Sequence, residues 1–452
     1  MLRGRVKSIL LGCTSIGVLL AATAAANAGS FALREQSAYG QGSSFAGIAA
    51  GGALSSMFWN PATITQFNGK TIEQVATGIL PNASHSFSYA TESALGNAGN
   101  SGMNALVPAG YASWQLNERF WLGLSVNAPF GLGVHFPQVW AGSRGGSGQS
   151  AKIETYNFAP TAAYKINDWI SVAVGLQAQY LRAEYDAYVS TTPTLISTLK
   201  GAGWGFGWTA GITLTPLPKT QIGIGYRSAI NQKVNGTLDQ PTAWLAAGGS
   251  QGSVNLVLNL PDVVTVGLRQ GIGDRFTLLA GVEWTNWSRI GTTAVNLPNG
   301  SPALLRAGTP FTFPFQYTDG WFYSLGGEYT LNPAWTVRAG IAFEKSPIPD
   351  DKRTVRIPDN DRWWYSVGAT YKPANMRGLS FDAGYSFVDV KNAPICISGS
   401  SANTAVCAAN PWAGSQSYVG SVNSYINIVS VSMRYQWDAD VSAPAKQRYT
   451  NR

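Results

Sequence analysis

His85 and His135 are the only histidines in a chain of 452 residues, so general-base chemistry has just two candidates. Serine hydrolysis needs a hydroxyl within hydrogen-bond reach of such a base. Neither histidine has a persuasive serine partner in sequence. The chain has no H-E-x-x-H pair and no cluster at metal-ligand spacing. No catalytic step, cofactor or metal is expected, and the chain does not read as an enzyme. Cysteine chemistry is equally sparse. Cys13 lies in an N-terminal apolar run, and Cys396 and Cys407 flank a Ser/Ala/Asn-rich stretch of ten residues. In an oxidising compartment that pair reads as one disulfide, with two free thiols as the alternative.

The remaining chemistry is charge at regular spacing. Arg227, Arg269, Glu283, Glu328, Arg338, Glu344, Arg362 and Asp382 each stand opposite in parity to aromatic or aliphatic neighbours. Arginine offers a two-pronged fork to a carboxylate, which makes Arg338 and Arg362 candidates for gripping an anionic head group. The other reading, favoured for most of these charges, is that they pair with one another or with an internal plug.

The elements that place them have period two. In "ISVAVGLQAQY" from Ile170 to Tyr180, Ile170, Val172, Val174 and Leu176 share one face, and Ser171, Gln177 and Gln179 share the other. "AWTVRAGIAFE", "WFYSLGGEY", "WWYSVGATY" and "LSFDAGYSF" repeat the rule with aromatics near both ends. Alternating strands with aromatic ends suit a wall that faces lipid outside and polar groups inside. Charged residues are only 12% of the chain, about half the usual share. Short turns near 116–119, 166–169, 215–219, 270–274, 330–335 and 372–378 alternate with long loops near 89–105, 129–151, 186–202, 237–250, 289–314, 347–360 and 391–420. Between these landmarks fit about 14 strands, from near Thr71 to near Trp437, an even count of the outer-membrane type. The expected fold is all-β: a transmembrane antiparallel β-barrel, 70–437.

Its flanks differ. Arg3, Arg5 and Lys7 precede an apolar run that ends at Ala26-Asn27-Ala28, the pattern of a secretory signal peptide, 1–28. Without it the basic surplus is small and scattered, which gives no reason to expect nucleic acid. Residues 29–69 lack alternation and read as short helical turns joined by glycines, yet they carry Phe45, Met57, Phe58 and Trp59. Such side chains need burial, and the wide lumen needs filling. The segment is therefore expected to be a hatch inside the barrel, led into the first strand by the Phe58-Trp59-Asn60-Pro61-Ala62 turn. Residues 438–452 form a polar tail expected on the periplasmic side.

The "NPA" at 60–62, after "GQGSSFAGIAAGG", resembles the hatch of the FadL family of outer-membrane transporters for long-chain fatty acids and related hydrophobic compounds. "NAPFGL" (127–132), "GYRSAINQKVNG" (225–236), "EWTNWSR" (283–289) and "GIAFEKSPIPDDKRTVRIPDNDRWWYSVGATY" (340–371) extend the resemblance over the mature chain. One departure is Ala53, where the family often has Asp. The resemblance implies capture of cargo by apolar outer loops, an interior pocket, hatch rearrangement, and exit through a gap where the third strand kinks. Asn127, Pro129, Gly131 and Gly133 are the kink candidates, since proline removes a ladder donor and glycine permits a bend. The blander reading is that Pro129 simply ends the strand.

Burying a methylene stabilises by about 0.8 kcal/mol, so an acyl chain of about 15 methylenes favours an apolar route by roughly 12 kcal/mol before ordering costs. Phe130, Leu132, Phe136 and Trp140, with Leu195, Ile196 and Leu199, are candidates to line that route or to pack the loops over the mouth. Expected partners are a long-chain fatty acid or other hydrophobic ligand, outer-membrane lipid and lipopolysaccharide. A monomer suffices. Aromatic hydrocarbons are the alternative cargo, and a diffusion porin or an adhesin the alternative function.

Overall fold

The computed structural model describes residues 30–136, 138–143, 149–188, 195–398 and 417–437. The expected signal peptide, the C-terminal tail and Cys407 lie outside them. Cys396 is held in a disulfide.

Fourteen antiparallel strands form the wall. They are β1 (Lys70–Ala90), β2 (Ala105–Gln115), β3 (Phe120–Asn127 and Gly131–His135), β4 (Ser150–Lys165), β5 (Ile170–Tyr188), β6 (Ile196–Leu217) and β7 (Thr220–Arg227 and Ile230–Asp239). The rest are β8 (Gly252–Leu260 and Val263–Ile272), β9 (Phe276–Thr285), β10 (Gly320–Thr330), β11 (Trp335–Lys345), β12 (Arg362–Tyr371), β13 (Leu379–Ser398) and β14 (Ser417–Trp437). The barrel closes where β1 pairs with β14, from Lys70↔Trp437 to Ala90↔Tyr418.

The alternation inverts the pattern of a soluble protein. On β5, Val174 and Leu176 are 64% and 68% exposed, while Ser171, Gln177 and Gln179 are buried. Apolar residues thus face lipid and polar ones face the lumen. Exposed Phe120, Trp169, Trp335 and Trp437 ring the end with short turns, and Trp204, Trp321, Trp363 and Tyr425 ring the other. β9 has 10 residues, the length of one membrane crossing, whereas β5 and β6 have 19 and 22. The wall therefore stands well above the membrane at β4–β8 and at β13, β14 and β1, and is lowest at β9–β12. Ile196 and Leu199, expected in a loop, lie on that raised part of β6. Lys200-Gly201-Ala202 continue its ladder against Arg182–Glu184 without needing lipid-facing bulk.

Residues 30–69 fill the lumen as a short α-helix, Ala38–Gln41, and three 3₁₀ turns, Ile48–Ala50, Leu54–Phe58 and Pro61–Gln66. Phe45, Met57 and Trp59 are buried, and Phe58 is partly buried. The hatch backbone lies directly on glycines of the wall. A methyl group added at Gly223 or Gly225 would come within 1.8 Å of the Ala49 or Trp59 carbonyl oxygen. At Gly340 it would lie 2.2 Å from the Ser43 carbonyl oxygen. Side chains at these places would hold the hatch off its seat.

Candidate functional site

Asn60 shows how the hatch is fixed. Its side-chain oxygen accepts from the Ala62 N–H at 3.0 Å and caps the last 3₁₀ turn, where Pro61 needs no partner. Its amide donates to the Ala49 carbonyl at 2.7 Å and to the Ile212 carbonyl of β6 at 2.9 Å. Ala53 has no polar side-chain group to offer the wall, and Ser55 supplies one nearby. The Ser55 N–H and hydroxyl donate to buried Glu73 of β1 at 3.1 and 2.7 Å.

Arg227 bonds Gln177 and donates to the Phe58 carbonyl at 3.0 Å, and the other inward charges expected from parity fall in two networks. Arg34 of the hatch pairs with Glu283 at 2.6 Å and Glu344 at 3.3 Å. Arg362 joins Glu344 and bonds Asp359. Deeper, Arg269 pairs with Glu328 at 3.1 Å, and Arg338 bridges Glu328 and Asp382 at 3.5 and 3.4 Å. Tyr39 of the hatch donates to Glu328 at 2.7 Å and lies beneath the Arg338 guanidinium. A buried charge is costly unless it is paired. Arg338 and Arg362 thus brace the hatch against the wall, each among carboxylates of its own interior.

Above the hatch lies an apolar cavity of about 350 Å³, within the range of small-molecule sites. The upper piece of β3 and the inner faces of the raised β4–β8 line it, with Leu132, Leu181, Leu199, Val234, Val254 and Leu258. Phe31 of the hatch, Phe313 and Phe315 complete it. Five basic residues reach it, and four have a carboxylate partner: Lys152 with Glu154, Lys200 with Glu184, Lys352 with Asp351, and Arg353 with Asp350. The fifth, Arg356, is buried and has neither hydrogen bond nor ion pair among the described residues. One of its terminal nitrogens is wholly unpartnered. It stacks on the Tyr185 ring at 4.2 Å. Burial without counter-charge pulls its pKa down to about 9. Arg356 lies within the "KRTVRIP" stretch of the segment from Gly340 to Tyr371, and its isolation from acids is visible only in space.

The third strand breaks where Pro129 stands. β2 pairs with β1 over its upper residues, Ala105 to Ala109, but pairs with β3 only from Gly110 onward. The edge from Ala105 to Ala109 therefore has no ladder toward β3, and Pro108 within it lacks a donor of its own. Asn127 ends the lower piece and receives a bond from Asn157 at 3.3 Å. The hatch satisfies the break. Gln36 donates to the Ala128 carbonyl at 2.8 Å, Leu33 N–H to the Pro129 carbonyl at 2.8 Å, and Gly131 N–H to the Phe31 carbonyl at 2.9 Å. The ladder resumes at Gly131 opposite Glu154 and continues through Gly133 opposite Lys152.

Of the apolar candidates, Leu132 and Leu199 line the large cavity, and Phe130 lines a smaller one of about 60 Å³ beside Leu33, Arg34 and Trp287. Phe136 and Trp140 line neither. They stack at 5.0 Å and pack on His85. His85 does meet a serine in space, Ser101 at 2.8 Å, but both are sealed beneath those rings. Gly248-Gly249-Ser250-Gln251-Gly252 has the spacing of a nucleophile elbow. Ser250 instead follows a short surface helix and its hydroxyl accepts from Leu304 N–H at 2.9 Å. Neither arrangement forms a triad.

Residues 18–437 match the family described as outer membrane protein transport protein (OMPP1/FadL/TodX). The chain belongs to it. The transporter is 30% identical over 405 residues to the long-chain fatty acid transport protein of Salmonella typhi, covering 83% of this chain and 90% of that one. It is 28% identical over 423 residues to outer membrane protein P1 of Haemophilus influenzae, covering 82% and 88%. Its fold is similar to that of a Pseudomonas aeruginosa FadL homologue, with TM-score 0.78 and 22% identity over 90% of this chain and 99% of that one. The toluene transporter TodX of Pseudomonas putida gives 0.62 and 15% over 90% and 99%. The transporter is thus an outer-membrane protein of a transport family, and not an enzyme.

Proposed function

We propose that this transporter takes up long-chain fatty acids across the outer membrane, holding the carboxylate at Arg356 and the acyl chain in the apolar cavity. The observation that carries this reading is Arg356 itself, a buried cation with no anion among the described residues, at the edge of a cavity lined by aliphatic and aromatic side chains. A carboxylate supplies the missing charge in a two-pronged bond. The relatives named long-chain fatty acid transport proteins support the same cargo. On this reading residues 1–28 direct export, the hatch closes the lumen, and cargo leaves through the wall at the β3 interruption after the Phe31–Gln36 contacts release. One closed barrel contains the whole route, so a monomer suffices. Surrounding lipid and lipopolysaccharide contact only its outer face.

The second reading is an aromatic hydrocarbon as cargo. It is favoured by the phenylalanines of the cavity and by structural likeness to toluene transporters. Binding of oleate and of toluene to purified Arg356→Gln separates the two. A hydrogen bond to a charged group contributes about 1.5–3 kcal/mol, so oleate affinity should fall about 10- to 100-fold while toluene binding stays unchanged. Unchanged oleate affinity removes Arg356 from the site. Binding of toluene but not oleate to the wild type selects the second reading.

A further inference from the structure

From β5 to β8 the register sets the outer face of the raised wall in rows. One row runs Arg182, Ala202, Asn235 and Asn255 across the four strands. Two residues nearer the periplasm come Tyr180, Trp204, Lys233 and Val257, and then Ala178, Phe206, Asn231 and Asn259. Their neighbours along the strands, such as Gln179, Leu181, Gln232 and Leu258, are buried toward the lumen. Parity therefore turns the named side chains outward.

The chemistry of this face changes with height. β6 turns Trp204, Phe206 and Trp208 to lipid in succession, and Phe206 is 72% exposed. A girdle of such rings marks the boundary between acyl chains and head groups. Arg182 and Lys233 flank Trp204 at that boundary, both exposed and neither with an ion pair among the described residues. The neighbouring cations are occupied. Lys200 pairs with Glu184 at 2.7 Å, and Lys152 pairs at 2.7 Å with Glu154, the carboxylate opposite Arg182 on β4. The acids two rows above Arg182, Asp186 and Asp239, accept from Thr198 and Gln251. Around Lys233 stand four asparagines, whose amides both donate and accept, as sugar hydroxyls require.

The wall is also untied between the two cations. The ladder from β6 to β7 stops at Ala202↔Asn235 and resumes at Thr209↔Arg227. In the interval side chains take its place. Gln232 donates to the Gly203 carbonyl at 2.7 Å, and the Ser228 hydroxyl accepts from the Trp208 N–H at 2.8 Å. A ligand that spans Arg182 and Lys233 ties β5 to β7 across this seam.

We propose that this face is a docking site for lipopolysaccharide of the outer leaflet. The lipid A phosphates pair with Arg182 and Lys233, its sugar hydroxyls meet the asparagine amides, and its acyl chains lie on Trp204, Phe206 and Trp208. Charge-assisted bonds to phosphate suit both cations. A phospholipid brings a phosphate but no amino-sugar pair, and leaves the amides of this face without partners. The site lies outside the barrel and does not depend on which cargo the lumen carries.

The test is titration of the purified transporter in detergent with bisphosphorylated lipid A, read by native mass spectrometry. Dephosphorylated lipid A and phosphatidylglycerol serve as competitors. One saturable lipid A adduct is expected, and neither competitor should displace it at equal concentration. Arg182→Ala combined with Lys233→Ala should weaken binding roughly 30-fold, the weight of two cations at an anionic lipid surface. Arg182→Lys combined with Lys233→Arg should keep most of the affinity. Lys345→Ala removes an exposed lysine opposite Trp321 on the low side of the wall and should change nothing. Wild-type protein without a saturable adduct overturns the site, as does an unchanged affinity in the double alanine variant. An equal loss in Lys345→Ala or in the charge-keeping variant also overturns it. Ready displacement by phosphatidylglycerol overturns the choice of lipopolysaccharide and leaves a face for any anionic lipid.

Discussion

Glu35 sits between two functional neighbours, Arg34 in the upper charge network and Gln36 in the β3 break, yet one of its carboxylate oxygens has no partner among the described residues. Burial pushes its pKa up to about 7; Arg34 and Arg362 pull against that, and Glu344 adds to it. An acid with a raised folded pKa costs nothing below the ordinary carboxylate range. Its cost to the seated hatch grows as pH rises from about 4.5 to about 7 and is constant above. Hydrogen exchange of the amides from Phe31 to Ser37, corrected for intrinsic rates, should therefore show protection that declines over that interval. Glu35→Gln should flatten the decline and protect the segment better at pH 8. Parallel profiles for the two proteins would remove Glu35 from hatch release. Such single residues were the least legible part of the chain. Parity placed Arg338 and Arg362 in the lumen, but their acidic partners come from strands up to 44 residues away, as with Arg338 and Asp382. Arg356 gave no periodic signal at all, because it stands in a loop whose neighbours are set by the fold.

At the scale of elements, the wall was readable because one rule governs all of it. Each strand alternates, and lipid tolerates no exception on the outer face. The third strand was readable because Pro129 cannot donate to a ladder and Gly131 allows the chain to turn. The unpaired edge of β2 was signalled only by Pro108, a residue that alone also suits an ordinary strand end. The break is held by the hatch rather than by its own strand, which makes its behaviour testable. In the Pro129→Ala, Gly131→Val double variant, the first change restores a backbone donor to the break. The second brings a side chain against Leu33, since a Cβ at Gly131 lies 2.7 Å from the Leu33 side chain. Docking of Phe31–Leu33 against the break is then impeded while Arg356 and the lining that β5–β8 give its cavity stay in place. Oleate binding should persist and cellular uptake should collapse. Normal uptake at normal surface level would mean that cargo leaves elsewhere than between β2 and β3.

The whole molecule is a wide barrel whose lumen is filled by forty residues of its own chain, and the means of that close fit is a lumen face cleared of side chains. Gly223 pairs with Gly267 and Gly267 with Gly281, Gly326 pairs with Gly340, and Gly368 with Gly384, so the glycines lie side by side across neighbouring strands. This pattern could be found in sequence only once the register was known, since each glycine on its own weakens a strand. Together they let hatch carbonyls approach the wall more closely than any alanine would permit. At Gly225 and Gly340 the opposing atoms are backbone, the Trp59 and Ser43 carbonyl oxygens, which cannot swing aside as a side-chain tip can. Gly225→Val and Gly340→Val should therefore unseat the hatch without opening the barrel, whose ladders are made by backbone groups that remain in place. The wild type in a planar bilayer should be nearly silent, and each variant should carry a steady ionic current. Both should still show the heat-modifiable gel mobility of a folded barrel. Silent variants with folded barrels would mean that the seat yields elsewhere and that the charge networks around Arg34 and Tyr39 alone keep the lumen closed. In that case Arg34→Ala combined with Tyr39→Phe becomes the variant that conducts.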